Sequence, residues 1–461
     1  MANRESDIEK TKKKPQNQGK KNVRGTALDL LHRLFQHPED GTPLPAMLNR
    51  TAQEAGHDSR DAALLAELVY GVLRRHALLD SLLDGFLTKP GALSAQIRQI
   101  LRIGVYELLF MGGIPAHATV SELVGLARRR FGQGLGGLVN GVLRSVDRQA
   151  EALKSKVSSA EPAVAASIPV WLMNMWTKQY GEEQASAFAF NTLAHASPCW
   201  RVNLAREGAA ELSESWKARG YASVGRGGFT SHDLDREREG AAQEQVELAA
   251  LEAQGLLSRQ GVSSQLVAEF IAERVTRDAD LAQAELWDAC CGRGGKTVAL
   301  LEKGVRVALA SDPAQFRVEE LLASVRRLGL PEPKAVCAPE QDVEASFPLI
   351  LLDVPCSGTG TLGRVPELRL RLTPAKLNEA ERLQGIILED AWGKLQPGGL
   401  LFYVTCALNR KENEGRIATF LKTHAFENGG DAELEEKRLF LPELPGHDAL
   451  FLAVLKKRQL A

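Results

Sequence analysis

The stretch of sequence that decides the fold is residues 349–360, which read LILLDVPCSGTG. Four apolar residues lead into an aspartate and a Pro-Cys-Ser-Gly turn, and a second apolar run, residues 400–406 (LLFYVTC), also ends on a cysteine. Such runs are typical of the buried strands of a parallel α/β sheet, which binds ligands at its carboxyl edge. Cys356 and Cys406 at two strand ends, with Asp353 just before the first, indicate covalent chemistry on an electrophilic ring. The alternative is that each cysteine is a small buried hydrophobic residue, as most single cysteines are.

The composition is that of an ordinary soluble globular protein. A chain of 461 residues predicts about three domains. The net charge of −1 produces no global field, so any surface that binds nucleic acid has to be local. Residues 1–24 are different, since six lysines lie there among polar residues. They predict a disordered basic arm, which either contacts RNA or is a solvated tail.

Several absences in the sequence favour a cytoplasmic protein that does not enter a membrane. No stretch approaches the roughly 18 apolar residues that span a bilayer, and no apolar signal core follows the charged start. The six cysteines lack the paired spacing of a secreted disulfide framework. Cys290 and Cys291 are adjacent, but without a Cys-x-x-Cys motif or a nearby histidine they predict no metal site.

Residues 25–148 predict an all-α bundle, because apolar residues recur there at the three- and four-residue spacing of amphipathic helices. The stripes include Ala27, Leu30, Leu31, Leu34, Leu64, Leu65, Leu68, Val69, Val72, Ile97, Ile100, Leu101, Val105, Leu108, Leu135, Leu138, Val139, Val142, Leu143 and Val146. Arginines recur in the same region, at positions 74, 75, 98, 102 and 128–130. They either contact phosphates or lie on a solvated face.

The rest of the chain divides into a linker, a small module and a larger domain. Residues 149–165, rich in Ala, Ser, Lys and Glu, are predicted to be an interdomain linker. Residues 166–240 contain an aromatic start, a predicted strand at 198–203 and a Gly- and Arg-rich loop, which favour a small α+β module. Residues 241–461 alternate strands and helices, which predicts an α/β Rossmann-like core with a parallel sheet covered on both faces.

The predicted strands of this core are residues 285–289, 305–310, 335–337, 349–352, 400–404 and 450–455, and residues 374–395 form a predicted helix. The loop at 288–297, DACCGRGGKT, leaves the first strand and enters a helix. Its glycines expose backbone amides to a ligand, and Asp312 ends the next strand, where an acidic side chain accepts hydrogen bonds from ribose hydroxyls. A dinucleotide also fits such a loop. The cysteine pair favours S-adenosylmethionine instead, and the alternative for Asp312 is a helix N-cap before Pro313.

These residues resemble the RNA 5-methylcytosine methyltransferase family, in particular its bacterial branch that acts on small-subunit ribosomal RNA. That branch joins a NusB-like helical domain to the catalytic core, and the resemblance covers nearly the whole chain from about residue 25. The NusB-like part is carried by residues 114–118 (IPAHA) and 139–144 (VNGVLR), and a small RNA-binding subdomain by residues 201–203 (RVN). The segments around Cys356 and Cys406 carry the resemblance to the core.

The resemblance implies the cofactor, the substrate and the roles of the site residues. Cys406 would attack C6 of a cytosine in ribosomal RNA, Cys356 would assist release of the methylated product, and Asp353 would contact the base and the cofactor. We expect a monomer that uses S-adenosyl-L-methionine. The expected cofactor-binding residues are Cys290, Cys291, Gly292, Arg293, Gly294, Gly295, Lys296, Asp312 and Asp353.

The sequence departs from the family pattern in three places. Residues 291–293 (CGR) replace the usual Ala-Ala-Pro of the cofactor loop. Residues 338–339 (AP) stand where an acidic residue normally contacts adenine, with Glu340 and Asp342 as the available substitutes. Residues 447–451 (HDALF) lack the usual Gly-Phe-Phe. None of these changes alters either cysteine.

Three other functions remain open from the sequence. The same core could modify transfer RNA, and a DNA-type cytosine methyltransferase would use Cys356 as the nucleophile and leave Cys406 unexplained. From a different class, the chain could be an RNA-binding ribosome-assembly factor with a degenerate cofactor loop, which the altered residues 291–293 favour.

Overall fold

The structure, a computed structural model, describes residues 22–195, 198–230, 241–425, 429–441 and 446–458. Residues 1–21 of the predicted basic arm and residues 231–240 of the predicted loop lie outside the described residues. The chain separates into two compact units, Met1–Ser159 and Ala160–Ala461.

The first unit is helical, as the apolar spacing predicts. Its helices are α1 (Val23–Gln36), α2 (Leu44–Ala55), α3 (Ser59–Asp84), α4 (Ala95–Phe110), α5 (Ala116–Phe131), α6 (Gln133–Arg148) and α7 (Ala150–Ser158). Asn22 begins α1, since its side-chain oxygen accepts hydrogen bonds from the amides of Arg24 and Gly25 at 2.9 and 3.2 Å. Most of the predicted stripe residues form the core, and Leu31, Leu65 and Leu143 are among its fully buried side chains. Leu135 and Leu138 were also predicted to lie on the apolar stripe of α6, but both are exposed.

Four of the seven arginines singled out from the sequence, at positions 74, 75, 98 and 102, are buried or half-buried in this unit rather than lying on a phosphate-binding face. The guanidinium groups of Arg98 and Arg102 both donate to Asp80, at 3.0 Å and at 2.9 and 2.5 Å. Arg74 is buried over the ring of Tyr70. The sequence could not separate these from surface arginines, because their acidic and aromatic partners lie in other turns and helices.

Residues 149–165 differ from the predicted linker, because they form α7 and a short helix, α8 (Pro162–Ala165). Leu153 of α7 is buried in the first unit. The Ala-, Lys- and Glu-rich composition that indicated a linker also suits an exposed helix, since these residues have high helix propensity.

A small antiparallel sheet lies in the second unit, as the α+β prediction requires. The elements up to it are α9 (Val170–Tyr180), α10 (Glu182–Asn191), β1 (Cys199–Val202), α11 (Ala209–Ala218), β2 (Ala222–Val224), β3 (Gly228–Thr230), α12 (Ala241–Ala253) and β4 (Leu257–Arg259). The strand order is β2-β3-β1-β4. Trp200, Trp216 and Phe229 form its core together with Leu257.

The small module therefore has different bounds from the predicted residues 166–240. Its sheet includes β4, which lies beyond residue 240. At the other end, Trp176 of α9 and Phe188 of α10 pack with Leu362 and Leu408 of the larger domain. The sequence places α9 and α10 before the small sheet, but their apolar faces are buried against the catalytic core.

The larger sheet carries the predicted strands in the order β10-β11-β9-β8-β5-β6-β7. Its elements are α13 (Val262–Arg277), β5 (Glu285–Asp288), α14 (Gly295–Glu302), β6 (Arg306–Ser311), α15 (Gln315–Leu328), β7 (Lys334–Val336), β8 (Phe347–Asp353), α16 (Leu368–Arg371), α17 (Pro374–Gly393), β9 (Leu395–Thr405), α18 (Glu414–His424), β10 (Ala432–Phe440) and β11 (Leu450–Lys457). Strands β5 to β9 are parallel, and apolar clusters cover both faces.

The edge of the sheet departs from the parallel arrangement, because β11 is antiparallel to β9 and β10 is antiparallel to β11. Strand direction is not readable from an apolar run. β10 (AELEEKRLF) has charged residues at 433 and 435–438, as edge strands commonly do, and it therefore lacks the apolar alternation that would predict a strand. The predicted helix at 374–395 ends at Gly393, and β9 begins at Leu395, five residues before the predicted strand at 400–404, and runs through residues 397–399 (PGG).

Candidate active site

The two cysteines meet at the carboxyl ends of neighbouring parallel strands. β8 and β9 pair so that Asp353 lies opposite Val404, and the amide of Val354 donates to the Val404 carbonyl at 3.1 Å. The Sγ atoms of Cys356 and Cys406 are 3.0 Å apart. The Cys406 amide also donates to Cys356 Sγ at 3.3 Å. The sequence-predicted pair is thus one site, with both side chains half-buried.

The turn after Cys356 closes around Cys406. The Gly360 amide donates to the Cys406 carbonyl at 2.9 Å, and the Leu408 amide donates to Thr359 Oγ1 at 2.8 Å. A Cβ at Gly360 would lie 2.5 Å from the Ala449 carbonyl and 2.8 Å from that of Cys406, so only glycine fits there. The Ser-Gly-Thr-Gly sequence is therefore explained by the close approach of three backbone segments.

Lys296 and Asp353 link the cofactor loop to this turn. Lys296 lies in the first turn of α14, and its Nζ donates to Asp353 Oδ2 at 2.6 Å. Burial opposes the charge of Lys296, but the charges of Asp353, Cys406 and Asp288 outweigh it and raise the pKa of the ammonium group. Lys296 is thus a cation held next to both Asp353 and the cysteine pair.

The glycine-rich loop is braced by two carboxylates. Asp312, which is buried at the end of β6, accepts from the Gly292 amide at 3.1 Å and from the Ala314 amide at 2.9 Å. The N-cap of α15 is Ala314, so Asp312 closes a turn before the helix instead of capping it. Asp288 accepts from Thr297 Oγ1 at 2.6 Å. Burial raises the pKa of Asp288 to about 7.

The side chains of Cys290, Cys291 and Arg293 give no indication that they bind a charged ligand. Burial raises the pKa of both thiols, with Glu340 adding to the effect at Cys290 and Asp288 at Cys291, so both are neutral. Arg293 is exposed and pairs with Glu320 at 3.2 Å. These residues shape the loop through their backbone, and Arg293 ties it to α15.

The sequence analysis named Glu340 and Asp342 but missed three functional candidates, Glu412, Arg364 and Asp448. Glu412 is fully buried beside the Cys356 turn, and Glu340 is buried near Cys290, whereas Asp342 is exposed. Arg364 donates twice to Asp448, at 2.9 and 2.8 Å. Asp448 and Cys406 raise the pKa of Arg364 against the opposing effect of burial, so this cation also faces the cysteine pair. None of these three residues follows a predicted strand directly, so the sequence gives no local signal for them. Their hydrogen-bond partners in the structure identify them.

Comparison with known proteins gives the family. The family described as NusB matches residues 21–148, and the family described as 16S rRNA methyltransferase RsmB/F matches residues 279–456. Ribosomal RNA small subunit methyltransferase B of Vibrio vulnificus is 30% identical over 446 residues, which cover 95% of this chain and 100% of that protein. This chain belongs to the ribosomal RNA small subunit methyltransferase B family. The probable member of Bacillus subtilis is 29% identical over 464 residues, with 95% and 99% of the two chains covered.

Membership of the methyltransferase B family makes the protein an S-adenosylmethionine-dependent ribosomal RNA methyltransferase. It confirms the predicted order of a NusB-like helical region and an α/β methyltransferase core. The crystal structure of PH0851 matches with a TM-score of 0.68 at 20% identity, over 95% of this chain and 100% of that one. NSun6 from Pyrococcus horikoshii, solved with SFG, an analogue of S-adenosylmethionine, matches with a TM-score of 0.50 at 19% identity, over 63% and 99%. These likenesses show the fold.

The glycine-rich loop of this chain fits the cofactor that its family uses. A Cβ at Gly292 would meet nothing within 4 Å, so the backbone there faces open space. Asp288 Oδ1 is buried without a hydrogen-bond partner among the described residues. A buried acceptor beside an open glycine loop suits a polar ligand. No helix in the described part of the chain is long and apolar enough to cross a membrane.

Proposed function

We propose that this protein methylates C5 of a cytosine in small-subunit ribosomal RNA through a covalent bond between Cys406 Sγ and C6 of the base. The observation that carries the proposal is the 3.0 Å contact between the two cysteine sulfurs at adjacent strand ends, beside the Lys296–Asp353 ion pair. Cytosine C5 is a poor nucleophile, and addition of a thiolate at C6 turns the ring into an enamine-like nucleophile at C5. The reaction needs a nucleophilic thiol, a second group that assists product release and an acceptor that holds the base. The two cysteines and Asp353 supply these three groups.

The surroundings of the two thiols favour Cys406 as the nucleophile. The hydrogen bond with Cys406, burial and the charge of Glu412 together raise the pKa of Cys356 well above that of an ordinary thiol. The cations Lys296 and Arg364 both respond to the charge of Cys406. A thiolate next to two cations is stabilised, and the thiolate is the reactive form. A DNA-type mechanism, with Cys356 as the nucleophile, would require the cations to face Cys356 and the negative charge of Glu412 to lie away from it.

We assign Asp353 the role of holding the base. Its Oδ2 is occupied by Lys296, while Oδ1 has no hydrogen-bond partner among the described residues and the side chain is 35% exposed. We assign Oδ1 as the acceptor for the exocyclic amine and N3 of the cytosine. A protonated N3 makes C6 more electrophilic, and the ion pair with Lys296 fixes the carboxylate while the base binds.

Cys356 acts after methyl transfer in this proposal. The C5 proton must leave and the bond from Cys406 to C6 must break before the product departs. We assign Cys356, a neutral thiol in contact with the sulfur of Cys406, as the group that gives a proton to that sulfur as the C6–S bond breaks, and the Cys356 thiolate that remains takes up the C5 proton. This assigns the two cysteines to successive steps of one reaction.

S-adenosylmethionine supplies the methyl group when it is bound. The residues that would hold it are the 290–296 loop and Asp312, with the buried Glu340 as a further acidic side chain whose charge acts on Cys290. Lys296 then orients Asp353 from the cofactor side. The target base must leave its stack to reach the cysteines, which gives the helical unit and the small sheet a role in RNA binding. A monomeric state and a cytoplasmic location remain predictions.

The test is methylation of defined RNAs by the purified protein with labelled S-adenosylmethionine. We expect label in small-subunit ribosomal RNA, mapped by bisulfite sequencing to a cytosine that is unmodified in cells lacking the protein. Cys406→Ala is the matched control and should transfer no label. Label found only in transfer RNA would show that transfer RNA, and not ribosomal RNA, is the substrate. Label at a position other than C5 would overturn the proposed chemistry. Absence of labelling with intact RNA binding would favour the assembly-factor function.

A further inference from the structure

Glu412 is a buried carboxylate without a positive partner. It is 0% exposed, and it takes part in no ion pair within the described residues. Its Oε2 accepts from the Ser357 amide at 2.8 Å and from Gln384 Nε2 at 2.9 Å, and Oε1 accepts from Asn409 Nδ2. Burying a charge without a cation is costly, and three neutral donors only partly offset the cost. A neutral side chain would satisfy packing at lower cost, so the charge itself calls for an explanation.

Two of these donors hold the turn that carries Cys356. Ser357 is the residue directly after Cys356, and its amide is bound by Glu412. Gln384 of α17, which also donates to Glu412, donates to the Pro355 carbonyl at 3.0 Å. Glu412 and Gln384 therefore fix the backbone on both sides of Cys356.

The segment around Glu412 also holds the strand end that carries Cys406. The Tyr403 hydroxyl donates to the Glu412 carbonyl at 2.9 Å. Next to it, Asn413 accepts from Thr405 Oγ1 at 2.5 Å and donates to the Ala407 carbonyl at 2.9 Å. One short segment before α18 thus sets the position of both cysteines.

The charged and titratable groups that face Cys356 come from two elements. Cys406, at the end of β9, contributes the hydrogen bond that is the largest cause of the raised pKa of Cys356, followed by burial and the charge of Cys406. Glu412, before α18, adds its negative charge, and the amide of Gly358 opposes the shift. Burial, Cys356 and Glu412 raise the pKa of Tyr403 as well, which keeps its hydroxyl a donor to the Glu412 carbonyl.

We propose that Glu412 is the positioning residue of Cys356: it fixes the turn at residues 355–357, and its buried negative charge acts together with the Cys406 contact and burial to keep Cys356 a neutral thiol while Cys406 serves as the nucleophile. The catalytic consequence rests on the proposed function, but the effect on the Cys356 thiol does not.

The first experiment measures alkylation of Cys356 by iodoacetamide from pH 7 to 11, by peptide mass spectrometry on the full chain with Cys406→Ala. We expect Glu412→Gln to lower the midpoint, so that the rate at pH 8 rises at least about threefold, because only the thiolate reacts. Glu414→Gln, two residues away and outside the Cys356 turn, is the matched control and should leave the profile unchanged. An unchanged midpoint of the alkylation rate against pH would overturn the proposal. A higher maximum rate at an unchanged midpoint would also overturn it, because it would show only that the turn has loosened.

Gln384→Met tests position separately from charge, because it removes the Pro355 contact and one of the three donors to Glu412 but keeps the carboxylate itself. Its alkylation midpoint should stay in place, whereas Glu412→Asp, which keeps the charge, should restore most of the shift caused by Gln. A midpoint that moves in Gln384→Met as far as in Glu412→Gln would assign the effect to loop geometry and overturn the role of the charge. Thermal unfolding of each variant confirms that it is folded.

The second experiment measures turnover of Glu412→Gln on ribosomal RNA. We expect kcat to fall at least about tenfold with KM unchanged, and a covalent protein–RNA species to accumulate, because the step that needs Cys356 is slowed. Glu414→Gln should retain kcat. If wild type forms 5-methylcytosine and the alkylation midpoint does not move, the role of Glu412 falls and the proposed function stands. If the midpoint moves and wild type makes no 5-methylcytosine, the proposed function falls alone.

Discussion

The Nζ of Lys296 donates to Oδ2 of Asp353 at 2.6 Å, and this bond joins the loop expected to hold the cofactor to the turn that carries Cys356. Lys296 comes from the start of α14 and Asp353 from the end of β8, so their contact crosses two adjacent strands, β5 and β8. A change in the loop is therefore transmitted to the carboxylate that is expected to bind the base. The predictions below test this arrangement one group at a time.

Lys296→Met should lower turnover at least about tenfold, because it removes the cation that orients Asp353 and faces Cys406. Lys303→Met at the C-terminal end of the same helix is the matched control. Steady-state kinetics on ribosomal RNA, with S-adenosylmethionine affinity from calorimetry, checks the effect. Equal losses in the two variants would show that a charge anywhere on α14 suffices.

The two cysteines should fail at different stages. Cys406→Ala should abolish turnover and trap no RNA, since no bond to C6 forms. Cys356→Ala should stall after attack and accumulate a covalent protein–RNA species that survives denaturing gels. If the two cysteines were only packing residues, each substitution would lower the stability of the protein modestly and leave its activity intact. Trapped RNA in Cys406→Ala, or full activity there, would falsify the assignment of the nucleophile.

Asp312→Ala should weaken S-adenosylmethionine binding at least about tenfold, because hydrogen bonds to a charged carboxylate contribute about 1.5–3 kcal/mol each. The structure adds a second reason, since the Gly292 amide loses its acceptor and the loop loses its brace. Asp342→Ala, an exposed acid after the neighbouring strand, is the control. Calorimetric titration decides, and unchanged affinity in Asp312→Ala would remove this residue from the site.

The sequence was sufficient for the parts of the site that lie at strand ends. Cys356, Cys406, Asp353 and Asp312 each follow an apolar run, and parallel strands bring such residues to one edge of a sheet. Glu412 follows no strand directly and lies in a charged stretch, KENEG, that reads as solvated surface. Its burial depends on hydrogen bonds to residues 28 and 55 positions away. Long-range contacts of this kind leave no local pattern.

The same limit explains the differences in domain bounds. β4 has only three residues and no alternation, so its pairing with β1 across the small sheet was not predictable from local sequence. The apolar residues of α9 were recognised, but a helical stripe does not say what covers it. For α9 the cover is the region of Leu362 and Leu408, beside the cysteine turn.

RNA binding by the first unit should depend on few arginines, because most of those predicted from the sequence are engaged internally. Arg128 and Arg129 are exposed and make no ion pair within the described residues. Arg128→Glu with Arg129→Glu in the full chain should weaken binding and lower the slope of log affinity against log salt by about one to two. Arg60→Glu with Lys89→Glu makes the same change in net charge. An equal loss in that control would indicate diffuse attraction instead of a site.

Asp288 should make the second unit less stable as the pH rises towards neutrality. Burial raises its pKa from 3.8 to about 7, with Asp353 adding to the shift and Thr297 and Lys296 opposing it. The folded state therefore holds the proton more tightly than the unfolded state does. This contribution to stability is fully present below pH 3.8 and is lost as the pH rises from there to about 7.

Asp288→Asn keeps a neutral side chain at every pH and should remove this loss. We expect the variant to gain stability over wild type between pH 4 and 7, and to exceed it by at least about 1 kcal/mol at pH 8. Urea unfolding followed by tryptophan fluorescence measures this, because all six tryptophans lie after residue 159 and report the second unit alone. The exposed Asp342→Asn should follow wild type at every pH. Parallel curves for wild type and Asp288→Asn would mean that Asp288 is already charged in the folded protein at low pH.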